Sequence, residues 1–132
     1  MGNQGTTMKS EDHLIEECSQ TVLAIYDTME ILGGKWKVLI IACLCYQPMR
    51  YSELLKKVRG ISGKMLSREL KELEVNGLIK RNVLATSPVS VAYEITEYGE
   101  SLKQLTQVIA EWGIQHRARI LQSMQQEGPK HN

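Results

Sequence analysis

Residues 49–96, MRYSELLKKVRGISGKMLSRELKELEVNGLIKRNVLATSPVSVAYEIT, decide the fold. The stretch divides into a short helix, a tight turn, a longer helix and two strands joined by a loop. Ser52 is an N-cap candidate, and Glu53 just inside it is favourable at the positive end of a helix dipole. Leu54, Leu55 and Val58 line one face at helical spacing, and Gly60 stops the helix. Ser62 stands where a cap for the next helix is needed, and Met65, Leu66, Leu70 and Leu73 then recur with helical period. Asn76-Gly77 ends that helix, since both residues tolerate the left-handed backbone common at a helix C-terminus.

The opposite face of the second helix carries Lys64, Ser67, Arg68 and Lys71, most of them in its first half. Two helices joined by a turn of about three or four residues, the second basic on its outward face, read as a helix-turn-helix. In that motif the start of the second helix meets base edges in the major groove. A solvated amphipathic helix would show the same pattern, so the next segment matters. After Gly77 the period changes from helical to alternating. Residues 78–84 form one strand, and Val89, Val91, Tyr93 and Ile95 alternate with polar or small residues in another. Ala85-Thr86-Ser87-Pro88 between them is turn chemistry, and Pro88 cannot serve an internal ladder. A helix-turn-helix followed by a two-stranded hairpin is a winged helix. The expected class is therefore mainly α with a small β-hairpin wing (α+β).

The 132 residues make one domain, with enough chain for a core without disulfides. No apolar run approaches the about 20 residues of a membrane span, and a cytoplasmic protein without membrane contact is expected. Net charge is only +1, but it is unevenly spread. Residues 1–34 carry one Lys against six acids, residues 35–81 eleven Lys and Arg against four Glu, and residues 82–132 four against five. The middle segment is thus +7, which matters more for phosphate attraction than the total. Three cysteines fit a reducing compartment better than a disulfide framework. Cys43 and Cys45 sit in an apolar run and do not share a helix face. His13, His116 and His131 have no ligand spacing, so neither metal nor cofactor is expected.

Flanking helices complete the domain. Val22, Ile25, Met29 and Leu32 recur at three, four and three within an amphipathic helix from Cys18 to Leu32, broken by Gly33-Gly34. Lys35 to Tyr46 is apolar nearly all round after its first turn and reads as the central buried helix. Thr96 is expected to cap one final helix running to about Gln126, with Leu102, Leu105, Ile109 and Trp112 in one stripe, widened by Val108, Ile120 and Leu121. Such a helix, about 45 Å long, exceeds what a small winged helix can cover. Part of its apolar face is expected against another chain, with the first helix as its companion. The organisation expected is a flexible arm at 1–17, a winged helix-turn-helix domain with terminal dimerisation helices at 18–126, and a flexible tail at 127–132.

These residues closely resemble the HxlR-type winged-helix transcriptional regulators, relatives of the MarR group. The matching motifs are residues 31–37 (ILGGKWK), 50–54 (RYSEL), 60–66 (GISGKML), 70–79 (LKELEVNGLI), 91–96 (VAYEIT) and Gly99. The resemblance implies a bacterial or archaeal homodimer that binds operator DNA through terminal-helix dimerisation, usually as a repressor and sometimes as an activator. Many members carry a cysteine just ahead of the first helix that senses electrophiles or oxidants in some of them. Cys18 occupies that position, although the family's common Cys-Pro is Cys18-Ser19 here, with Glu16 and Glu17 before it. Nearby carboxylates disfavour a thiolate and a helix N-terminus favours one.

The expected function is a DNA-binding transcriptional regulator, most simply a repressor, on a palindromic operator in double-stranded DNA. The DNA-facing set is Lys35, Lys37, Arg50, Ser62, Lys64, Ser67, Arg68, Lys71, Lys80 and Arg81. The dimer interface is expected at Val22, Ile25, Leu105, Ile109, Trp112 and Ile120, and Cys18 is the candidate redox sensor. No nucleophile–base–acid set, P-loop or dinucleotide fingerprint points to an enzyme. The serious rival is a winged helix used only for protein–protein contact.

Overall fold

The computed structural model of the protein describes residues 3–127. The elements are α1 (Asn3–Leu32), α2 (Lys37–Tyr46), β1 (Met49–Arg50), α3 (Tyr51–Lys57), α4 (Gly63–Val75), β2 (Ile79–Leu84), β3 (Ser90–Ile95), α5 (Glu97–Glu100) and α6 (Lys103–Glu127). They divide into two compact units, α1 with its following link as far as Lys35, and everything from Trp36 onward.

The first unit is one helix, and it begins at Asn3 rather than Cys18. No glycine or proline interrupts residues 6–32, and His13 pairs with Glu17 one turn on, 3.1 Å apart. Its first half lacks an apolar stripe, but helix propagation does not require one. An arm separated at residue 17 therefore has no counterpart in the backbone. Gly34, at φ +89°, provides the left-handed residue after the helix.

The second unit is built around α2. Ile40, Ile41 and Leu44 are buried, and the helix packs against α3, α4, β3 and α6. Leu54 and Val58 of the α3 segment and Leu66, Leu70 and Leu73 of α4 close the core. The start of α3 departs from expectation. Its cap position is Arg50, whose backbone N–H donates to Glu53 Oε1 at 3.0 Å, so Ser52 lies inside the helix. α4 starts as its sequence requires, with Ser62 Oγ accepting from the Met65 N–H at 3.1 Å. It ends in a Schellman arrangement, Leu78 N to Leu73 O at 3.0 Å and Gly77 N to Glu74 O at 3.0 Å. The left-handed residue there is Gly77 at φ +74°, while Asn76 stays at −81°.

The wing is the antiparallel pair β2–β3, running from Ile79 opposite Ile95 to Leu84 opposite Ser90. A third strand, β1, joins the other edge of β3, with Met49 opposite Tyr93, giving the order β1-β3-β2. Two residues are too few to show an alternating period, so the expected two-stranded sheet becomes three-stranded.

The expected single final helix is two. Thr96 caps α5, its Oγ1 accepting from the Gly99 N–H at 2.9 Å. A Cβ on Gly99 would collide with the Leu78 carbonyl, so α5 lies directly against the link between α4 and β2. Bonds of the tighter i to i−3 kind, Ser101 N to Tyr98 O and Leu102 N to Gly99 O, then turn the chain into α6. At 25 residues α6 is about 37 Å long. Apart from Glu127, the expected tail lies outside the described residues. No helix among them is long and apolar enough to cross a membrane.

Candidate nucleic-acid interface

The buried leucines fix which side of α4 faces out. With Leu66, Leu70 and Leu73 in the core, Lys64, Ser67, Arg68 and Lys71 are all exposed, as are Ser62 at the cap and Arg50 ahead of α3. Tyr51 locks the start of α4. Its hydroxyl donates to the Gly63 carbonyl at 2.8 Å and lies 3.2 Å from Ser67 Oγ. Because the tyrosine proton is committed to Gly63, the Ser67 hydroxyl donates to the tyrosine oxygen. Ser67 is left with outward acceptor lone pairs, suited to the amino group of an adenine or cytosine.

Lys37 does not belong to the DNA-facing set. It is 8% exposed, and its Nζ lies 2.7 Å from Glu69 Oε2 and 2.5 Å from Glu72 Oε2 on α4. Burial lowers its pKa, but the hydrogen bonds it donates to Glu69 and Glu72 outweigh that and leave it raised. The charge next to Gly33-Gly34 serves an internal ion-pair group, because the first turn of α2 points at α4 rather than at solvent. Lys35, two residues earlier, is exposed and belongs to the first unit.

Arg68 is exposed, and its Nε stands 3.5 Å from Glu72 Oε1 one turn along α4. Glu72 thus receives both Lys37 and Arg68, and the hydrogen bond from Lys37, followed by that from Arg68, holds its carboxyl below the usual range. In the wing, Lys80 pairs with Glu94 on the facing strand at 3.0 Å. Asn82 donates to the same carboxylate at 3.1 Å, and Lys80 first, then Asn82, lowers the Glu94 pKa. Arg81 is exposed and sits on the other face of the strand, opposite Tyr93 in register.

Basic residues outside the expected set share the exposed surface of the α3 end and turn, namely Lys56, Lys57 and Arg59. The +7 segment charge includes them, but with no apolar partner spacing nothing in the sequence distinguishes them from solvated lysines.

Cys18 is exposed but lies far inside α1, not ahead of it. Burial raises Cys43 against the pull of Lys57, and burial raises Cys45 against a hydrogen bond shared with Thr106. On α6, Leu105, Ile109, Trp112 and Ile120 are 38%, 46%, 66% and 44% exposed, and on α1 Val22 and Ile25 are 55% and 56% exposed. Trp112 stacks on His116 with ring centroids 5.0 Å apart.

A β-hairpin wing in a three-stranded sheet behind a helix-turn-helix with a basic outward helix defines a winged-helix transcriptional regulator of the MarR-like class. The family model for the HxlR-like helix-turn-helix matches residues 31–121, and the chain belongs to that family. The HTH-type transcriptional regulator YtcD of Bacillus subtilis is 39% identical over 98 residues, covering 74% of this chain and 78% of YtcD. Among solved structures, the reduced form of the regulator YodB from B. subtilis matches with a TM-score of 0.60 at 38% identity, over 70% of this chain and 90% of that one. The redox regulator HypR in its oxidized form matches with a TM-score of 0.67 at 30% identity, over 70% of this chain and 95% of that one.

Proposed function

We propose that the protein is a homodimeric repressor that binds a palindromic operator in double-stranded DNA. The carrying observation is the outward face of α4, where Lys64, Ser67, Arg68 and Lys71 are exposed together on a helix whose opposite side is core. In this reading α4 enters the major groove and Arg68 reads a base edge. Arg50, Ser62, Lys71 and Arg81 contact backbone, joined by Lys56, Lys57 and Arg59. A dimer seated across its operator excludes polymerase from the same DNA, which is repression.

The apolar surface on α6 and, separately, that on α1 support the dimer. Trp112, Ile114 and Met124 are each more than 60% exposed in the single chain, a larger apolar display than a monomer carries without a partner. Two-fold pairing through these helices would set half-sites about one helical turn, roughly 34 Å, or a multiple apart. Sedimentation at micromolar concentration should give a dimer, and Ile109→Glu/Trp112→Glu a folded monomer with weakened operator binding. A monomeric wild-type protein would refute both pairing and palindrome.

DNA recovered by selection from random duplexes tests the recognition itself. A symmetric site should emerge, and affinity for it should fall steeply between 50 and 200 mM salt. Recovery of no preferred sequence, with binding indifferent to salt, would favour a winged helix used for protein contact.

A redox response is a second reading, favoured by Cys18 as the exposed thiol while burial raises the other two. HypR is named a redox regulator, and YodB is known in reduced and diamide-treated forms. In this reading, modification of Cys18 on the dimerisation helix changes the spacing of the two α4 helices.

A further inference from the structure

We infer that Glu72 is a positioning residue for Arg68, held in place by the buried Lys37, so that base reading on the outer face of α4 depends on a lysine that touches no DNA. This rests on the proposed reading of Arg68 as a base contact. An exposed arginine on a helix samples many rotamers, and the entropy of fixing one opposes binding. Here the guanidinium is met by a carboxylate one turn further along α4, Nε to Oε1 at 3.5 Å. An exposed carboxylate would itself be mobile and would orient nothing. Glu72, although its side chain is 44% exposed, is not left mobile, because its other oxygen is held at 2.5 Å by Lys37 Nζ. Lys37 in turn is fixed by Glu69 at 2.7 Å, both side chains being 10% exposed. The chain of contacts therefore runs from the α2 core through Lys37 and Glu72 to Arg68, with one end rigid.

The two carboxylate oxygens have different tasks. Oε2 anchors and Oε1 aims, as the distances assign them. Glu72 also places a negative charge beside the DNA-facing surface, which costs affinity for every sequence through phosphate repulsion. Specificity is a difference of affinities, so a group that weakens all binding while improving one contact sharpens discrimination.

The test is a double-mutant cycle between Glu72 and Arg68, read as the affinity ratio between the selected duplex and a scrambled duplex of equal length. Thermal melting of each variant runs alongside. Arg68→Ala should lower the ratio about tenfold, at one base pair per half-site. Glu72→Ala should lower it several-fold at that same base pair, while scrambled-duplex affinity rises. Glu72→Gln, which keeps an oxygen for Lys37 or Arg68, should recover part of the ratio. In the Arg68→Ala background, Glu72→Ala should no longer change the ratio. Independent, additive effects of the two substitutions would overturn the inference, as would a loss spread over all base pairs. If Arg68→Ala itself leaves the ratio unchanged, the base-contact reading fails, and this inference with it.

Discussion

Lys37 Nζ on α2 and Glu69 Oε2 on α4 stand 2.7 Å apart, with each side chain only 10% exposed. A buried pair of this kind contributes little net stability compared with apolar residues of the same volume, but breaking it leaves a buried charge unpaired. Lys37→Met should therefore destabilise the protein by about 3 kcal/mol. Lys37→Met/Glu69→Leu should recover most of that loss. Urea unfolding midpoints at pH 7 and fixed protein concentration measure both. Equal midpoints for the single variant and wild type would mean that solvent relieves the Glu69 charge.

The same group of charges sets a pH dependence. Glu72 and Glu94 have pKa values below their ordinary 4.5, so the stability they contribute is present above that value. It is lost as pH falls through their folded-state values. Lys37 is raised above 10.5, so its contribution is present below that pH and lost as pH rises through its folded-state value. Unfolding midpoints should decline at both ends. Glu72→Gln and Glu94→Gln should each flatten the acid limb, and Lys37→Met/Glu69→Leu the alkaline one. An acid limb unchanged in both Gln variants would place its origin elsewhere.

Lys37 also marks where sequence reading stops. Ser62, the leucines of α4 and Gly77 were legible because caps, period and left-handed turns are local properties of the chain. Those alone define the outward face of α4 and hence most of the candidate interface. A lysine beside exposed Lys35 offers no local sign that it turns inward, since its partners lie 32 and 35 residues away. The same limit hid β1, whose two residues become a strand only through pairing with β3. It also hid the break between α5 and α6, which packing of Gly99 against the Leu78 carbonyl imposes. The early start of α1 was missed for a different reason. Residues 3–17 form helix without the apolar stripe used to recognise one.

Salt dependence should sort the basic residues. Replacing a lysine or arginine that neutralises one phosphate lowers the slope of log affinity against log salt by about one. Lys71→Gln and Arg81→Gln should each do so. Lys80→Gln should do less, because Glu94 already pairs with Lys80 at 3.0 Å. Lys37→Met/Glu69→Leu should leave the slope unchanged. Slopes equal to wild type for both Lys71 and Arg81 would make those side chains ordinary solvated charges.

The last prediction concerns Cys18. Reactivity needs an accessible sulfur, and Cys18 is exposed on α1. Val22 and Ile25, one and two turns further along the same helix, are exposed apolar residues of the expected dimer surface. A bulky adduct or an intersubunit disulfide at Cys18 would then bear on that surface and alter the separation of the two α4 helices. Wild type and Cys18→Ser should be treated with diamide and with a quinone, and operator binding measured. Wild type should lose affinity, and Cys18→Ser should keep it. Equal loss in the two proteins would move the sensor to Cys43 or Cys45, against the burial that raises both thiols.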